Sequence, residues 1–472
     1  MSAQDILERV DIAWIEGRLE NVLERQKQLA ALHQQIEQRF ENIVIALQQD
    51  LRRTKESATA EVVIALNAIN ALYEQLNFQE LLAKERRLKN GGDVVSFLVP
   101  LGKTLVVQLG SCPVISTLCP LAAALAAGNP TILLGSHASP VTNNIVEQVI
   151  WYSLDREAFH FEKDDGKSTH QTIAKGSFSI VVLPDLETSR TIGSLVRANN
   201  ASARQIEPYF GMAAGIIDRS AKSSLDASAE QIRRSVLVGA TSNPLRVPRL
   251  FFVDESVISV FKSKLQFAKE KKGTSLEDWL RKYYMGLTSI FSTKDSPIRT
   301  KSKFPSVCDF TLISFTNGAE IALVSTRSLD HSIDLLNKIN SGTGSQALYV
   351  FADGKEAFYL GNFITTSHVF INEIPTRSLV LSTSRSVKDT VSCPYILEDF
   401  SETKTMVQAP VSRSLSDLRR PGKLDAKKVK QHQGGRMSYF EQGLILGAAM
   451  GLVALAGFSI LSYRGVRTYL LR

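Results

Sequence analysis

The residues of this sequence best suited to chemistry are its thiols and imidazoles. The four cysteines lie far apart, at Cys112, Cys119, Cys308 and Cys393. No pair of them has the CxxC or CxxH spacing of a zinc site, and so few scattered cysteines do not form a disulfide framework. The seven histidines show no paired spacing that would ligate a metal either. We therefore predict no metal site, reduced cysteines and a reducing compartment.

The elements that must position these residues change type along the chain. The first ninety residues carry apolar side chains at three- and four-residue steps, which predicts long amphipathic helices, one of them over Glu61 to Leu82. From Val94 onward, short apolar runs alternate with helical stretches, which predicts a parallel α/β sheet. The predicted elements are strands at VVSFLVP (94–100) and KTLVVQLG (103–110), a helix at 113–127, a strand at 130–134, a helix at 141–152 and a strand at 178–183.

Composition and charge exclude several classes of protein. With 472 residues, 44% hydrophobic and 22% charged, the chain can bury a large core, so it is not disordered throughout. The net charge of +8 comes from the C-terminal end. Residues 411–441 hold eight basic and three acidic residues, and Arg464, Arg467 and Arg472 supply the rest. Residues 1–410 are therefore neutral, and we do not expect the protein to bind nucleic acid.

An apolar segment near the C-terminus predicts a membrane anchor. Gly443 to Leu461 contains nineteen residues without charge or proline, which as a helix would extend roughly 28 Å, close to the hydrocarbon thickness of a bilayer. A buried core helix is the alternative. The N-terminus lacks a basic region followed by an apolar one, so we predict no secretory signal and a tail-anchored protein with a cytosolic body. The basic linker before the segment is either a tether that also contacts anionic lipid or a solvated spacer.

Three glycines of this segment share one helix face, because Gly443, Gly447 and Gly451 recur every four residues. This pattern is compatible with self-association of two membrane helices. The ordinary abundance of glycine in such helices is the simpler explanation.

The run PLGKTLVVQLGSCPVISTLCPLAAALAAGNPTILLGSHASP, Pro100 to Pro140, resembles aldehyde dehydrogenases. There a strand, a turn with the oxyanion-hole Asn, a helix ending in AAGN and a cofactor-binding strand follow in this order. SPIRTKSKFPSV (296–307), QALYVF (346–351) and KTMVQAP (404–410) also resemble segments of the class 3, fatty aldehyde branch. The resemblance covers about residues 5–410, and some members of that branch carry a C-terminal membrane helix.

The resemblance implies an α/β aldehyde dehydrogenase-like fold. Its parts would be a Rossmann-like cofactor-type domain, an α/β catalytic-type domain, an oligomerisation arm and one C-terminal transmembrane helix. The implied boundaries are 1–206 for the N-terminal helices and the cofactor-type domain, 207–377 for the catalytic-type domain, 378–410 for the return segment and oligomerisation strand, 411–441 for the basic linker, 442–463 for the transmembrane helix and 464–472 for a short basic tail.

The nucleophile of the family is a cysteine shortly before a strand that contains V-x-P. That strand corresponds here to RVPRLFFVD (246–254), and alignment on Pro248 places Leu245 at the nucleophile. Leucine cannot attack a carbonyl group, and among nearby hydroxyls only Ser242 and Thr241 are available. Ser111 stands where the family has the oxyanion-hole Asn. The resemblance therefore implies that thiol-dependent aldehyde oxidation is lost.

The positions that bind NAD or NADP in the family have also changed. Leu134 replaces the Lys and His137 replaces the Glu that hold the adenosine ribose. The turn 184–188, Pro-Asp-Leu-Glu-Thr, has no glycine and would repel a pyrophosphate. Ser302 replaces the nicotinamide-ribose Glu, whereas Phe304 keeps the neighbouring aromatic. NAD or NADP is expected only if some activity persists.

Two further positions carry alternatives. Glu207 aligns with the general-base Glu of the family, but a solvated carboxylate at a helix end is the simpler interpretation. Cys112 follows the turn that holds Ser111, so its thiol could line the substrate tunnel and react. We expect instead a small buried core residue, as for the other cysteines.

Two functions follow from the resemblance. The first is a membrane-tethered pseudoenzyme, dimeric through arm exchange, that binds a protein partner or a lipophilic molecule, with a hetero-oligomer with an active relative as one form of it. The second is an enzyme that oxidises a long-chain or isoprenoid aldehyde. By analogy with tail-anchored relatives we expect the endoplasmic reticulum, with the mitochondrial outer membrane and the peroxisome as alternatives.

Overall fold

The computed structural model describes residues 2–89, 94–163, 169–184, 186–207, 213–239, 247–272, 310–315, 319–339, 345, 347–366, 368–375, 379, 395–407, 443–453 and 455–457. The helices of the first half are α1 (Ala3–Ile15), α2 (Val22–Gln38), α3 (Phe40–Leu51), α4 (Lys55–Gln75), α5 (Phe78–Lys89), α6 (Pro113–Ala127), α7 (Pro140–Ser153), α8 (Thr169–Ala174) and α9 (Leu186–Asn199). The strands among them are β1 (Val94–Pro100), β2 (Thr104–Val107), β3 (Thr131–Leu134), β4 (Phe159–Glu162), β5 (Ile180–Val182) and β6 (Arg204–Ile206).

The second half contains α10 (Leu225–Gly239), α11 (Ile258–Lys264), α12 (Leu329–Ile339) and α13 (Gly354–Phe363). Its strands are β7 (Ala213–Ile217), β8 (Leu250–Asp254), β9 (Lys269–Lys272), β10 (Phe310–Ser314), β11 (Glu320–Thr326), β12 (Ala347–Phe351), β13 (Val369–Ile371) and β14 (Ser401–Val407). Short 3₁₀ turns lie at Arg219–Ser224 and Leu397–Asp399.

Local sequence sets most of the element boundaries in the first half. The predicted strand 94–100 and helix 113–127 have the predicted bounds, and the elements predicted at 130–134, 141–152 and 178–183 occur within two residues of their expected ends. The predicted helix over Glu61 to Leu82 is wrong at its C-terminal end. It stops at Gln75 because Gln26 binds the carbonyl of Leu76, and because Asn77 caps the next helix by accepting from Glu80 N–H at 3.1 Å.

The described strands form two larger sheets and one small sheet. The first sheet has the order β4-β3-β2-β5-β6 and is parallel throughout. The second has the order β13-β12-β7-β8-β11-β10-β9, in which β10 and β9 are antiparallel to their neighbours. In the third sheet, β1 pairs antiparallel with β14, with Val94 opposite Val407. Parallel strands with helical connections confirm the α/β fold class.

Helix α6 lies at the centre of the N-terminal core. Every residue of α6 is buried, because the helix packs against β2 and β3 on one side and against α4 on the other. It ends at Gly128, whose φ of 95° lies in the left-handed region that favours glycine. The next residue, Asn129, accepts from Gly102 N–H at 3.0 Å and donates to the carbonyl of Phe400 at 2.7 Å. Asn129 thus joins the first sheet to the segment that precedes β14.

The predicted membrane segment is only partly described. Residues 443–453 and 455–457 are helical and exposed. In the part of the chain that the structure describes, no helix combines the length and the apolar character needed to cross a bilayer. The residues of the segment beyond these ranges lie outside the described part.

Candidate functional site

The candidate site lies beyond the carboxyl ends of the strands of the first sheet, a region that we call the carboxyl edge. The chain proceeds from β2 to β3 on one side and from β5 to β6 on the other, so the direction of winding changes between β2 and β5. Ligands of open α/β sheets bind at such a switch point, beyond the carboxyl ends of the strands. Ser111 follows β2, Leu134 ends β3, His137 follows β3 and Glu207 follows β6. The fold therefore brings these four predicted residues to one edge.

Two turns contact each other at this edge. Gln108 accepts from Ser136 N–H at 2.6 Å and from the hydroxyl of Ser139 at 3.3 Å, and it donates to the carbonyl of Pro113 at 3.3 Å. A Cβ on Gly110 would lie 2.8 Å from both the hydroxyl oxygen of Ser136 and the Cβ of Ala138. The turn after β2 and the turn after β3 are therefore packed together.

Leu134 faces the core rather than the edge. Only 1% of its surface is exposed, and it belongs to an apolar cluster that includes Leu105, Val107 and Val181. His137 is exposed in the turn that follows. The side chain at the position of the ribose-binding Lys thus supplies no hydrogen-bond donor and is buried among apolar neighbours.

Glu207 accepts a hydrogen bond from the hydroxyl of Ser189 on α9. Glu207 directly follows strand β6, and residues 208–212 after it lie outside the described part of the chain. It is half-buried, and Ser189 is 6% exposed. The hydrogen bond connects this carboxylate to α9, the helix that begins within the turn 184–188.

A buried ion pair supports the turn that holds Ser111. Arg53 pairs with Glu61, and both side chains are fully buried. Arg53 also donates to the carbonyl of Ser111, and its Nη2 lies 3.5 Å from Sγ of Cys112. Burial opposes the charge of Arg53, but the carboxylate of Glu61 and the sulfur of Cys112 outweigh burial and raise the pKa of this guanidinium above its ordinary value.

Glu61 also caps helix α6. Its Oε1 accepts from Val114 N–H at 2.8 Å and from Ile115 N–H at 3.2 Å. Cys112, the N-cap residue, makes no side-chain capping bond of its own. A carboxylate at this end also interacts favourably with the helix dipole. The first turn of α6 is therefore held by a charge from α4, about fifty residues earlier in the chain.

Several predicted residues lie outside the described part of the chain. They are Leu245, Ser302 and Phe304, together with Ser242 and Thr241. Strand β8, which follows the nucleophile position in the family, is present at Leu250–Asp254. Within the described ranges, no group of three or more His, Cys, Asp or Glu side chains could hold a metal ion.

The described residues at the carboxyl edge do not fit NAD or NADP. A dinucleotide needs donors for its pyrophosphate and polar partners for its ribose. Leu134 offers neither, the hydroxyl of Ser189 is bonded to Glu207, and Gln108 is bonded to the two packed turns.

Comparison with known proteins places the chain in a family. Residues 16–281, more than half of the sequence, match the model of the aldehyde dehydrogenase family. The chain belongs to the aldehyde dehydrogenase family.

Curated relatives belong to the class 3 branch. Aldehyde dehydrogenase family 3 member A2 of Macaca fascicularis is 28% identical over 158 residues, which are 32% of each chain. Family 3 member B1 of Bos taurus is 29% identical over 160 residues, 33% of this chain and 34% of the relative. Fatty aldehyde dehydrogenase HFD1 of Saccharomyces cerevisiae is 31% identical over 133 residues, 27% of this chain and 24% of the relative. The matches thus span about a third or less of these relatives' lengths.

Solved structures confirm the fold over most of the chain. A substrate-bound state of Staphylococcus aureus AldH is 17% identical with a TM-score of 0.63, covering 87% of this chain and 95% of the other. An NADP-dependent enzyme of E. coli is 14% identical with a TM-score of 0.62, covering 86% and 90%. At these identities the likeness concerns the fold alone.

Sequence reasoning missed the side chains that organise the edge, namely Arg53, Glu61 and Gln108. One signal was present for Glu61, which stands on a helix face otherwise formed by small and apolar residues such as Ala58, Val62 and Ala65. A charge on an apolar face requires a buried partner. The sequence does not indicate which of many arginines supplies it.

Proposed function

We propose that this protein is a membrane-attached pseudoenzyme with the aldehyde dehydrogenase fold. It binds a lipophilic ligand or a protein partner, and it does not oxidise aldehydes through the cysteine nucleophile of the family. The observation that carries the proposal is the carboxyl edge of the first sheet. There Leu134 is buried in the core, and the turns carrying Gly110 and Ser136 pack against each other. The Leu at the nucleophile position, Leu245, supports the same function through the family resemblance.

Membrane attachment is the second part of the proposal. Its support is the uncharged run from Gly443 to Leu461 and the basic residues on both sides of it. The segment 442–463 would cross the bilayer, the linker 411–441 would lie near anionic lipid, and the body would face the cytosol. The endoplasmic reticulum is the proposed membrane, with the mitochondrial outer membrane and the peroxisome as alternatives.

A homodimer is the proposed assembly. The small sheet of β1 and β14 exposes Leu98 and Met406, and the edge strand β13 exposes Val369 and Ile371. Exposed apolar side chains on strand edges favour pairing with another chain. In a dimer that exchanges its oligomerisation arms, the partner chain would cover both of these surfaces. An active relative could replace one copy and form a hetero-oligomer.

A second candidate is a NAD(P)-dependent dehydrogenase for long-chain or isoprenoid aldehydes. The names of the curated relatives favour it, since one of them is a fatty aldehyde dehydrogenase. This candidate requires a nucleophile other than Leu245 and a cofactor site built from other residues.

Titration calorimetry and an activity assay on the full-length chain separate the two candidates. The chain is titrated with NAD, NADP and their reduced forms up to about 1 mM, a concentration that detects binding of about −4 kcal/mol. Cofactor reduction is then followed with hexadecanal and farnesal, with the yeast relative as positive control. We expect no cofactor heat and no reduction. Saturable binding with aldehyde-dependent reduction would contradict the pseudoenzyme and support the dehydrogenase.

A further inference from the structure

A cavity of about 870 Å³ lies beyond the carboxyl ends of the parallel strands of the second sheet. The chain proceeds from β7 to β8 and β11 on one side and returns through β12 and β13 on the other, so the direction of winding changes between β7 and β12. Open α/β sheets bind ligands at such a point. We call this space the polar cavity; the charged residues in its described lining are Asp218, Asp254, Asp330, Glu356, Arg219 and Arg327.

Two buried carboxylates form the floor of the polar cavity. Asp218 follows β7 and Asp254 ends β8, and the register of these parallel strands places them side by side. They are 5% and 7% exposed. One oxygen of Asp218 accepts from Ser220 N–H at 3.0 Å, and one oxygen of Asp254 accepts from the backbone and the hydroxyl of Ser256. The second oxygen of each has no hydrogen-bond partner among the described residues, which favours a cationic donor in the cavity.

Two arginines lie at the rim of the polar cavity. Arg219 and Arg327 are exposed, and neither forms an ion pair within the ranges that the structure describes. Arg327 follows β11 and directly precedes Ser328, whose hydroxyl accepts from His331 N–H at 3.1 Å in the first turn of α12. Guanidinium groups and the N-terminal end of a helix both favour a phosphate. The polar cavity thus offers carboxylates to a cation and guanidinium groups to an anion.

A second cavity, of about 740 Å³, follows helix α13. We call it the apolar groove, because Phe358, Phe363 and Leu446 line it. Both cavities are lined by Gly443 and by the first turn of α13. Phe358 is 68% exposed, and a Cβ on Gly443 would meet no atom within 4 Å, so α13 and the apolar C-terminal helix are not in close contact here. A molecule that fits both spaces has a charged head and an apolar tail.

We propose that the polar cavity and the apolar groove together bind one phospholipid with a phosphoethanolamine headgroup. This inference rests on the membrane attachment in the proposed function, which places the start of the apolar C-terminal segment at a bilayer surface. The ammonium group donates to Asp218 and Asp254. The phosphate accepts from Arg219 and Arg327. An acyl chain lies against Phe358 in the apolar groove.

The lining of the polar cavity favours ethanolamine over choline and serine. The trimethylammonium group of choline cannot donate a hydrogen bond to the two buried carboxylates. Choline is instead recognised by aromatic side chains, and the described lining of the polar cavity contains none. The additional carboxylate of phosphatidylserine would lie near Asp330 and Glu356, where like charges repel.

The test is a lipid titration of the full-length chain in detergent, followed by native mass spectrometry. The probes are dioleoyl phosphatidylethanolamine, phosphatidylcholine and phosphatidylserine. We expect phosphatidylethanolamine to bind about tenfold or more tightly than the other two, because only its ammonium group bonds the carboxylates without adding a negative charge. Glycerophosphoethanolamine carries the same headgroup without acyl chains, and we expect it to bind at least about tenfold more weakly than the lipid.

Two sets of variants separate the ammonium contacts from the phosphate contacts. Asp218→Asn combined with Asp254→Asn should reduce the preference for phosphatidylethanolamine over phosphatidylcholine to about one, because the carboxylates that select the ammonium are lost. Arg327→Gln should weaken both lipids about equally, roughly fivefold or more, because both carry the phosphate. Its exposed position leaves the fold intact. Arg197→Gln replaces an exposed arginine on α9 and is the matched control, which should bind as the wild-type chain does.

Failure of the headgroup site and failure of the proposed function give different results. Equal affinity of the wild-type chain for phosphatidylethanolamine and phosphatidylcholine, or unchanged binding by Arg327→Gln, would overturn the inference. Equal affinity for glycerophosphoethanolamine and the lipid would overturn the lipid as ligand. Membrane attachment is measured separately, by flotation with vesicles of phosphatidylcholine alone. A chain that does not float but prefers phosphatidylethanolamine in detergent would contradict the attachment and support the headgroup site.

Discussion

The buried pair of Arg53 and Glu61 leads to a quantitative prediction about stability. Replacing Glu61 by Gln keeps the size of the side chain and one oxygen that can accept from Val114 N–H. It removes the charge that compensates Arg53, and both side chains are fully buried. Breaking a buried ion pair by neutralising one partner costs about 3–5 kcal/mol. The folding equilibrium should therefore fall roughly 150- to 4,000-fold.

The measurement is denaturation in guanidinium chloride, followed by tryptophan fluorescence in a Trp279→Phe background, in which only Trp14 and Trp151 remain. Both tryptophans belong to the N-terminal half, on α1 and α7. The matched control is Glu80→Gln, which neutralises a half-exposed carboxylate paired with Lys84 at 2.9 Å on α5. This control should cost about 0.5 kcal/mol or less, because exposed helix pairs contribute little. Equal losses for the two variants would refute the claim that the buried pair holds the turn and α6 together.

Four more outcomes follow from other contacts. Leu134→Lys should destabilise the part of the chain built on the first sheet without creating cofactor binding, because it places a charge in an apolar cluster; unfolding midpoints and calorimetry with NAD check both parts. Gly110→Ala should cost about 1–3 kcal/mol, because its Cβ would collide with Ser136 and Ala138, whereas Gly354→Ala, in open space at the start of α13, should cost little. Asn129→Ala should cost about 1–3 kcal/mol, since it leaves Gly102 N–H and the Phe400 carbonyl without their partner; the same denaturation curves measure it. The hydrogen bond from Ser2 N–H lowers the pKa of Asp5 below its ordinary value of 3.8. The capping contribution of Asp5 to α1 is therefore present above pH 3.8 and is lost as the pH falls below that value. Asp5→Asn should remove this pH dependence, which an NMR titration of α1 measures.

The candidate site was predictable in part. The family resemblance placed Ser111, Leu134, His137 and Glu207, and the topology brings all four to one edge of the first sheet. It did not show that Leu134 faces the core or that Glu207 bonds Ser189. It also missed Arg53, Glu61 and Gln108. Those roles depend on contacts such as Arg53 to Cys112, which are 59 residues apart in the chain.

The sequence by itself determined the elements whose signals are local. Strand 94–100 and helix 113–127 follow from apolar runs bounded by glycine or proline, and the alternation of such runs predicts the parallel first sheet. The prediction that strand 94–100 belongs to that sheet is wrong, because this strand pairs antiparallel with β14, whose position depends on how the distant C-terminal segment packs. The break at Leu76 has a local and a tertiary cause, because Asn77 caps the next helix and a side chain from α2 binds the carbonyl of Leu76. The contacts at the start of α6 were decided by tertiary structure, because Arg53 and Glu61 lie more than fifty residues earlier in the chain and reach this helix only through packing. Periodicity records which residues share a face of one element, whereas the identity of the facing residue depends on how the elements pack.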